Sequence, residues 1–234
     1  MRTLLSILPI LFSNLLFGQN FDSKKELKVY NEIFIELVGK ENYYEEAPKV
    51  TISLEDCKTH NDSIDYYIWE KKFNEWLENP KIDTSNLIIA FNTTLIFPSK
   101  DIIEDIKNRI MYPNLLVPDS VDFKDYIPLL ETLIDSNKCS PIQVNINDIY
   151  NTGRFELRNL EKFREDNPRY TKIKGFRLIG DLTLSRVCFN EEFDKGVFYM
   201  DFVCGGDCGS GLIFLINRKG ENWVIEWKIP LWVS

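Results

Sequence analysis

The sequence predicts an α+β fold, in which helices with a central strand come first and a four-stranded antiparallel meander comes last. Three patterns predict it. Apolar residues recur at helical spacing before residue 135, one run at residues 86–97 is apolar enough for a buried strand, and the period changes to two after Gly175. The 234 residues are 44% hydrophobic and 13% aromatic, which is enough to build a core. Without a recognisable linker, residues 19–234 are expected to form a single α+β domain.

The first eighteen residues, MRTLLSILPILFSNLLFG, have the pattern of a secretory signal peptide. Arg2 is the positive n-region, an apolar stretch interrupted by Pro9 and Asn14 follows, and Gly18 is small enough to precede a cleavage site. A buried N-terminal helix is the alternative. With the leader at residues 1–18 removed before Gln19, we expect a soluble periplasmic or secreted protein without an integral membrane segment.

The N-terminal elements follow from apolar periodicity and from capping residues. Gly39 ends the first helix. Five apolar or aromatic residues of that helix share one face: Leu27, Tyr30, Phe34, Leu37 and Val38. Ser99 is placed to cap the helix that follows the central strand, and Pro128 divides a later helical stretch. Helices are predicted at residues 22–38, 64–78, 99–110, 120–134 and 155–165, and strands at 86–97 and 142–146.

After Gly175 four strands alternate in polarity, and the turns between them are short enough for hairpins. The predicted strands are residues 181–190, 197–204, 212–217 and 223–229. Glycine and charged residues fill the connecting turns, as in residues 218–222, RKGEN. Consecutive hairpins of this kind predict the antiparallel meander.

The stretch FVCGGDCGSGLIFLI at residues 202–216 carries two cysteines and four glycines. A zinc site needs four nitrogen or sulfur ligands, and the chain has one histidine and no second close cysteine pair. Thioredoxin-like redox chemistry needs C-x-x-C opening a helix, whereas this is C-x-x-x-C between strands. A phosphate-binding loop is disfavoured because the stretch lacks the Lys-Ser/Thr of a P-loop and because Asp207 would repel the anion. These three interpretations are therefore weaker than a structural one.

The favoured interpretation is a hairpin closed by a disulfide between Cys204 and Cys208. Gly205 and Gly206 supply the left-handed backbone of a three-residue loop, Gly205-Gly206-Asp207. Gly209 and Gly211 let the chain bulge as it enters the next strand. Two reduced cysteines in a glycine-rich turn are the alternative. Of the five cysteines, Cys188 is expected to be a buried thiol, and Cys57 and Cys139 are candidates to pair with each other.

No residue set points to catalysis, a cofactor or a metal. The single histidine, His60, follows Cys57 in CKTH, and an ordinary surface histidine is the simpler interpretation. Adjacent carboxylates in turns are usually solvated, although two carboxylates brought together in space would serve a hydrolase. Such adjacent pairs are Glu45-Glu46, Glu55-Asp56 and Glu191-Glu192. The formal net charge of −8 repels phosphate backbones, which argues against nucleic-acid binding and favours a basic protein or a small molecule as partner.

Two long stretches, LTLSRVCFNEEFDKGVFYMDFVCGGDCGSG (182–211) and NRKGENWVIEWKIPLWVS (217–234), resemble a family of uncharacterised exported proteins of Bacteroidetes-type bacteria. Its pattern is a Leu-Ser-Arg-Val strand, an acidic turn, CG-x-x-CG-x-G and a hairpin ending in Trp-x-Ser. The segment VYNEIFIEL (29–37) is similar to the family's opening helix. One extra residue, in Gly220-Glu221-Asn222-Trp223, departs from its usual Gly-Lys-Trp. The resemblance implies export and layout, and no activity.

Two functions of different classes remain. The first is a non-catalytic exported module that binds a ligand or a protein, favoured by the absence of a catalytic constellation. The second is an exported carboxylate-dependent hydrolase. The hydrolase needs two converging carboxylates in a concave site, at least one of them with a displaced pKa. The spatial arrangement of the carboxylates therefore discriminates between them.

Overall fold

The computed structural model describes residues 23–39, 71, 87–111, 118, 121–153, 155–166, 177–205 and 208–234. The helices with defined bounds are α1 (Ser23–Gly39), α2 (Lys100–Met111), α3 (Ile127–Leu133) and α4 (Leu160–Asp166). Short 3-10 turns occupy Phe123–Asp125 and Ile146–Asp148. The strands are β1 (Leu87–Phe91), β2 (Thr94–Leu95), β3 (Ile142–Gln143), β4 (Phe155–Asn159), β5 (Arg177–Leu184), β6 (Cys188–Phe189), β7 (Lys195–Gly205), β8 (Cys208–Lys219) and β9 (Asn222–Val233).

Seven of these strands form one mixed sheet in the order β4-β1-β5-β7-β8-β9, with β6 paired to β7. Strand β1 runs parallel to β4 and to β5, whereas the strands from β5 onward pair antiparallel. The predicted mixed α and β content and the antiparallel C-terminal strands are confirmed. The predicted segregation of helices and strands is not, because β1 and β4 extend the C-terminal sheet with parallel pairs. Strands β2 and β3 form a separate two-stranded sheet.

Strand β1, LIIAF, is buried along its whole length because partners flank it and helices cover both of its faces. Ile89 and Phe91 belong to the cluster that contains the apolar residues of α1. Ile88 and Ala90 pack on the opposite face with residues of α4. A continuous apolar run is the expected sequence of a strand buried on two faces.

The sheet is therefore the middle of three layers. Helix α1 covers one face with Val29, Tyr30, Ile33, Phe34, Leu37 and Val38 against Phe198, Met200, Phe202 and Phe214. Helices α2 and α3 cover part of the other face with Ile106, Leu129, Leu130 and Leu133 against Val197, Tyr199, Ile213 and Leu215. The alternation along β7 divides its residues between these two clusters.

Three predicted elements differ in the structure. Residues 155–165 do not form one polar helix, because Phe155–Asn159 pairs with β1 as β4 and only the residues from Leu160 are helical. Pro128 stands in the first turn of α3, where proline needs no partner for its nitrogen, so it begins this helix rather than interrupting it. The strand expected at 181–190 is divided into β5 and β6 around Arg186.

Other predictions agree with the structure. Helix α1 ends at Gly39, and Ser99 caps α2 by accepting from the Ile102 amide at 3.4 Å. Lys71 is helical as predicted, and the rest of the helix expected at residues 64–78 lies outside the described residues. Gly220, at φ +65°, forms the turn between β8 and β9. In the turn before β7, the Asn190 side-chain oxygen accepts from the amides of Asp194 and Lys195.

Candidate functional site

The cysteine corner joins two of the three longest strands, β7 with 11 residues and β8 with 12. Cys204 and Cys208 are placed as a disulfide pair, with their Cα atoms 5.1 Å apart. Cys204 is partly buried against the core and Cys208 is exposed. The cross-link is thus at the outer end of the hairpin, where it holds the register of two strands.

The loop is shorter than the sequence predicts. Gly205 pairs with Cys208, so the strands continue past Cys204 and only residues 206 and 207, which lie outside the described residues, connect them. A register shift between Val203 and Gly205 leaves Cys204 at a bulge. The predicted three-residue loop is therefore wrong, because Gly205 takes part in the ladder instead of the turn.

The two following glycines make room for an aromatic ring. A β-carbon at Gly211 would be 1.9 Å from the indole Nε1 of Trp232, and one at Gly209 would be 3.1 Å from the same indole. The ladder between β8 and β9 shifts register immediately after Gly211, as expected for a bulge. Ser234 closes the arrangement by donating its backbone amide to the Gly209 carbonyl at 3.0 Å.

Two carboxylates meet on the face of the sheet that carries Tyr199. In the ladder between β5 and β7, Asp201 lies opposite Thr183 and Asp181 lies opposite Val203, so Asp181 and Asp201 are diagonal neighbours on one face. We call these two residues the acidic pair. Their side chains are adjacent although they are 20 positions apart in the sequence.

The two members of the acidic pair have different surroundings. Asp181 is buried and accepts from the Arg164 guanidinium of α4 at 2.5 Å. The Oδ1 atom of Asp201 is buried without a hydrogen-bond partner among the described residues. Burial and the neighbouring Asp181 charge raise the pKa of Asp201 above its ordinary value. The pair therefore joins a carboxylate neutralised by arginine to one that holds its proton more tightly.

The neighbours of the acidic pair in the sheet are small, and aromatic residues lie beside it. Across the ladders, Ala90 is next to Asp181 and Gly211 is next to Asp201. The Trp232 indole donates to the Tyr199 hydroxyl at 3.1 Å. Burial and the charges of Asp201 and Asp105 raise the pKa of Tyr199 to about 12. The hydrogen bond from Trp232 acts in the opposite direction. Asp201 and Trp232 are half-buried, and a carboxylate beside an aromatic ring suits a cationic group.

A second cluster of polar residues is fully enclosed between α1 and the segment that follows β5. The Glu26 carboxylate receives the Arg186 guanidinium at 2.6 Å, with side-chain exposures of 0% and 4%, and also accepts from the Val187 amide. The same guanidinium donates to the Ser140 carbonyl at 3.1 Å. A buried ion pair requires hydrogen-bond partners of this kind for its charged atoms.

Residues adjoining this ion pair tie the same segments together. The Tyr30 hydroxyl, one helical turn after Glu26, donates to the Ser185 carbonyl at 2.5 Å. The Ser185 hydroxyl accepts from the Tyr199 amide at 2.8 Å. Burial, then the charge of Glu26, raises the pKa of Tyr30 well above its ordinary value, so the phenol stays a donor. The Leu-Ser-Arg-Val segment is thus an anchor for α1.

Asn31 attaches the opening helix to a loop in the same manner. Its side-chain amide donates to the Asp148 carbonyl at 2.8 Å, and its side-chain oxygen accepts from the amides of Tyr150 and Asn151. Glu32, the next residue, accepts from the Trp223 amide at 2.7 Å. Three polar residues of VYNEIFIEL, Tyr30, Asn31 and Glu32, therefore have structural partners in the fold.

Several candidate residues from the sequence analysis lie outside the described residues: Cys57, His60, Glu45, Glu46, Glu55, Asp56 and Gly206. Glu191 and Glu192 are exposed in a turn, as expected for solvated carboxylates. In the part of the chain that the structure describes, no three His, Cys, Asp or Glu side chains are grouped to hold a metal ion. Within the same ranges, no helix combines the length and apolarity needed to cross a bilayer.

Sequence reasoning missed the acidic pair and the buried ion pair. The available signal was an acidic residue at a position that alternates inward in each strand, since Asp181 and Asp201 interrupt otherwise apolar or aromatic runs. Glu26 and Arg186 gave a weaker signal, because a charge near a helix start or a strand end is ordinary at the surface. Only the tertiary structure shows that Glu26 and Arg186 are buried against each other.

The chain thus combines a mixed seven-stranded sheet, a cross-linked hairpin end and an acidic pair beside Tyr199 and Trp232. Each of these features follows from the fold and its side chains. Comparison of the chain with protein-family models, with curated proteins and with solved structures finds no match.

Proposed function

We propose that this protein is an exported, soluble, non-catalytic module that binds a basic protein or a small cationic molecule through the acidic pair. The observation that carries the proposal is the Asp201 carboxylate, whose Oδ1 is buried without a hydrogen-bond partner among the described residues. A buried acceptor without a donor is unfavourable. An ammonium or guanidinium group of a ligand would supply the donor and neutralise the Asp201 carboxylate.

The surroundings of Asp201 support a cation as the ligand. Arg164 already neutralises Asp181, which leaves one carboxylate of the pair to meet an incoming charge. The half-buried indole of Trp232 offers aromatic surface beside it. The chain's formal net charge of −8 would attract a basic partner and repel nucleic acid, so nucleic acid is not among the proposed ligands.

A calorimetric titration tests the proposal. The probe is a lysine-rich peptide, titrated at low salt into the wild-type protein, an Asp201→Asn variant and a Glu221→Gln variant that removes one exposed acid elsewhere. We expect the Asp201→Asn variant to bind at least about tenfold more weakly, in line with loss of a charge-assisted contact. The Glu221→Gln variant should bind as the wild type does. Equal affinities in the two variants would refute the acidic pair as the site.

The pH dependence of this binding adds a second test. A cation binds the ionised carboxylate, and the pKa of Asp201 lies above its ordinary value. Affinity should therefore increase as the pH rises through that raised pKa, and the increase should be absent in Asp201→Asn. A pH profile shared by the wild type and the variant would assign the binding to other acids.

A carboxylate-dependent hydrolase is the second candidate, and the same pair favours it. An acid with a raised pKa beside a carboxylate held by arginine is the arrangement that general acid and base chemistry uses. A panel of chromogenic glycosides tests this function. Turnover by the wild type, lost in both Asp181→Asn and Asp201→Asn, would replace binding with catalysis as the function.

Export, a periplasmic or secreted location and membership of the Bacteroidetes-type family are part of the proposal. The leader pattern at residues 1–18 supports export, and the hairpin ending in Trp-x-Ser supports the family. Expression of the full chain in a Gram-negative host, followed by N-terminal sequencing of the periplasmic fraction, tests them. We expect the mature chain to begin at Gln19. An intact Met1 in the cytosolic fraction would contradict export.

A further inference from the structure

The two remaining described cysteines, Cys139 and Cys188, meet inside the core. Cys139 follows α3 in a turn where its amide donates to the Asp135 carbonyl at 2.9 Å, and Cys188 begins β6 opposite Val197. Both are fully buried in the cluster beneath α2 and α3. Both are free thiols in the structure, and their side chains are neighbours, since each is the largest influence on the pKa of the other.

An independent contact holds the two segments in this position. Arg186, two residues before Cys188, donates to the carbonyl of Ser140, the residue after Cys139. Because Arg186 is itself fixed by Glu26, the backbones that carry the thiols have little freedom to separate. The proximity of the sulfurs is therefore a consequence of the packing of α1, β6 and the turn after α3.

We propose that Cys139 and Cys188 form a second disulfide when the protein folds under oxidising conditions. Neighbouring thiols on two segments held together by packing are suited to form a disulfide, which needs Cα atoms within about 7 Å of each other. The bond would join the segment after α3 to the centre of the sheet and close a long loop of chain. It would cross-link the core itself, whereas the Cys204–Cys208 pair lies at the outer end of a hairpin.

The oxidant is a low-molecular-weight disulfide such as oxidised glutathione. The Cys139 thiolate attacks one sulfur of the oxidant, forms a mixed disulfide and releases one thiol. The Cys188 thiolate then attacks the Cys139 sulfur, forms the protein disulfide and releases the second thiol. Two protein thiols thus lose two electrons and two protons, and one oxidant disulfide becomes two thiols.

The chemistry around the thiols favours this order. The hydrogen bond from Cys188 lowers the pKa of Cys139 against the effect of burial, and the Arg186 guanidinium lowers it further. The thiolate is the attacking species, so Cys139 is the better nucleophile of the two. Since both sulfurs are buried in the finished fold, the exchange takes place in a native-like folding intermediate, in which Cys188 and Arg186 already lie beside Cys139 and the oxidant still reaches it.

Peptide mapping tests the proposal on the full chain. The protein is refolded in a glutathione redox buffer, alkylated in denaturant without reductant and digested for mass spectrometry. We expect a peptide pair joined through Cys139 and Cys188, a second joined through Cys204 and Cys208, and an alkylated Cys57. Alkylated Cys139 and Cys188, or a bond from either of them to Cys57, would overturn the proposal.

Thermal unfolding of matched variants gives an independent measurement. In a background with Cys204→Ser and Cys208→Ser, addition of reductant should lower the Tm by roughly 10 °C, as expected for opening a long loop. A further Cys57→Ser change should leave that reductant-dependent shift intact. A further Cys188→Ser change should abolish it. A Tm insensitive to reductant in the starting background would contradict the second disulfide, and the mapping remains decisive if a variant fails to fold.

Discussion

The indole of Trp232 lies on the backbone of Gly211, at the position that any larger residue would fill. A β-carbon there would be 1.9 Å from the indole Nε1, which donates to Tyr199. This relationship explains why residue 211 has to be a glycine when residue 232 is a tryptophan. It also places the aromatic ring beside Asp201, which pairs with Gly211 across β7 and β8.

Replacing Gly211 with alanine should displace the indole and destabilise the fold by about 1–3 kcal/mol, the usual effect of overpacking. Urea unfolding, monitored by tryptophan fluorescence, measures it. Ser210→Ala, on the same strand, is the matched control and should change the free energy of unfolding by less than about 0.5 kcal/mol. If the clash is the cause, Trp232→Leu should reduce the effect of Gly211→Ala. Equal effects in both backgrounds would exclude it.

Removing Glu26 should be among the most damaging single changes in α1. Glu26→Ala leaves the buried Arg186 guanidinium without its carboxylate, and we expect a loss of about 3–5 kcal/mol in the free energy of unfolding. The control is Lys28→Ala, because the Lys28 side chain is exposed and its ion pair with Glu32 should contribute less than about 1 kcal/mol. Equal urea midpoints for Glu26→Ala and Lys28→Ala would contradict the burial of the Glu26–Arg186 ion pair.

Asp201→Asn should stabilise the protein at neutral pH while it weakens cation binding. The folded pKa of Asp201 is raised by burial and by Asp181, so the native state binds this proton more tightly than the unfolded state. Stability contributed by that proton is present below the ordinary aspartate pKa and is lost as the pH rises through the raised folded pKa.

Thermal unfolding of the wild type and Asp201→Asn across the acid to neutral range measures this linkage. The stability difference between Asp201→Asn and the wild type should grow as the pH rises through the raised pKa of Asp201. It should vanish below the ordinary aspartate pKa. Glu221→Gln, in an exposed turn, is the control. A variant less stable than the wild type at neutral pH would show that the Asp201 carboxylate has a stabilising partner.

The Cys204–Cys208 cross-link should contribute modestly, because it closes a very small ring. The double variant Cys204→Ser and Cys208→Ser should lose about 2 kcal/mol or somewhat less in the free energy of unfolding. Hydrogen exchange should increase at the ends of β7 and β8 and remain unchanged at the turn between β8 and β9. Five reactive thiols in the oxidised, denatured wild type would contradict both cross-links proposed for this chain.

Local patterns predicted the elements whose stability is also local. The apolar stripe and Gly39 specified α1, Ser99 specified the start of α2, and alternation with glycine turns specified the C-terminal strands. Strand β4 escaped prediction because FELRN gains its strand structure from pairing with β1, which lies far earlier in the chain, rather than from its own periodicity. The intrinsic secondary-structure propensity of a segment matters less than strand pairing where a buried neighbouring strand offers a hydrogen-bonding edge.

By itself, the sequence determined the order of most elements and the cysteine corner, because helical periodicity, capping and turn chemistry act between residues close in the chain. Only the tertiary structure decided which distant residues meet. It joined β1 to β4 and β5 in parallel, buried Glu26 against Arg186, and brought Asp181 beside Asp201 and Cys139 beside Cys188. Those contacts depend on strand order and layer packing, for which no short stretch of sequence carries a signal.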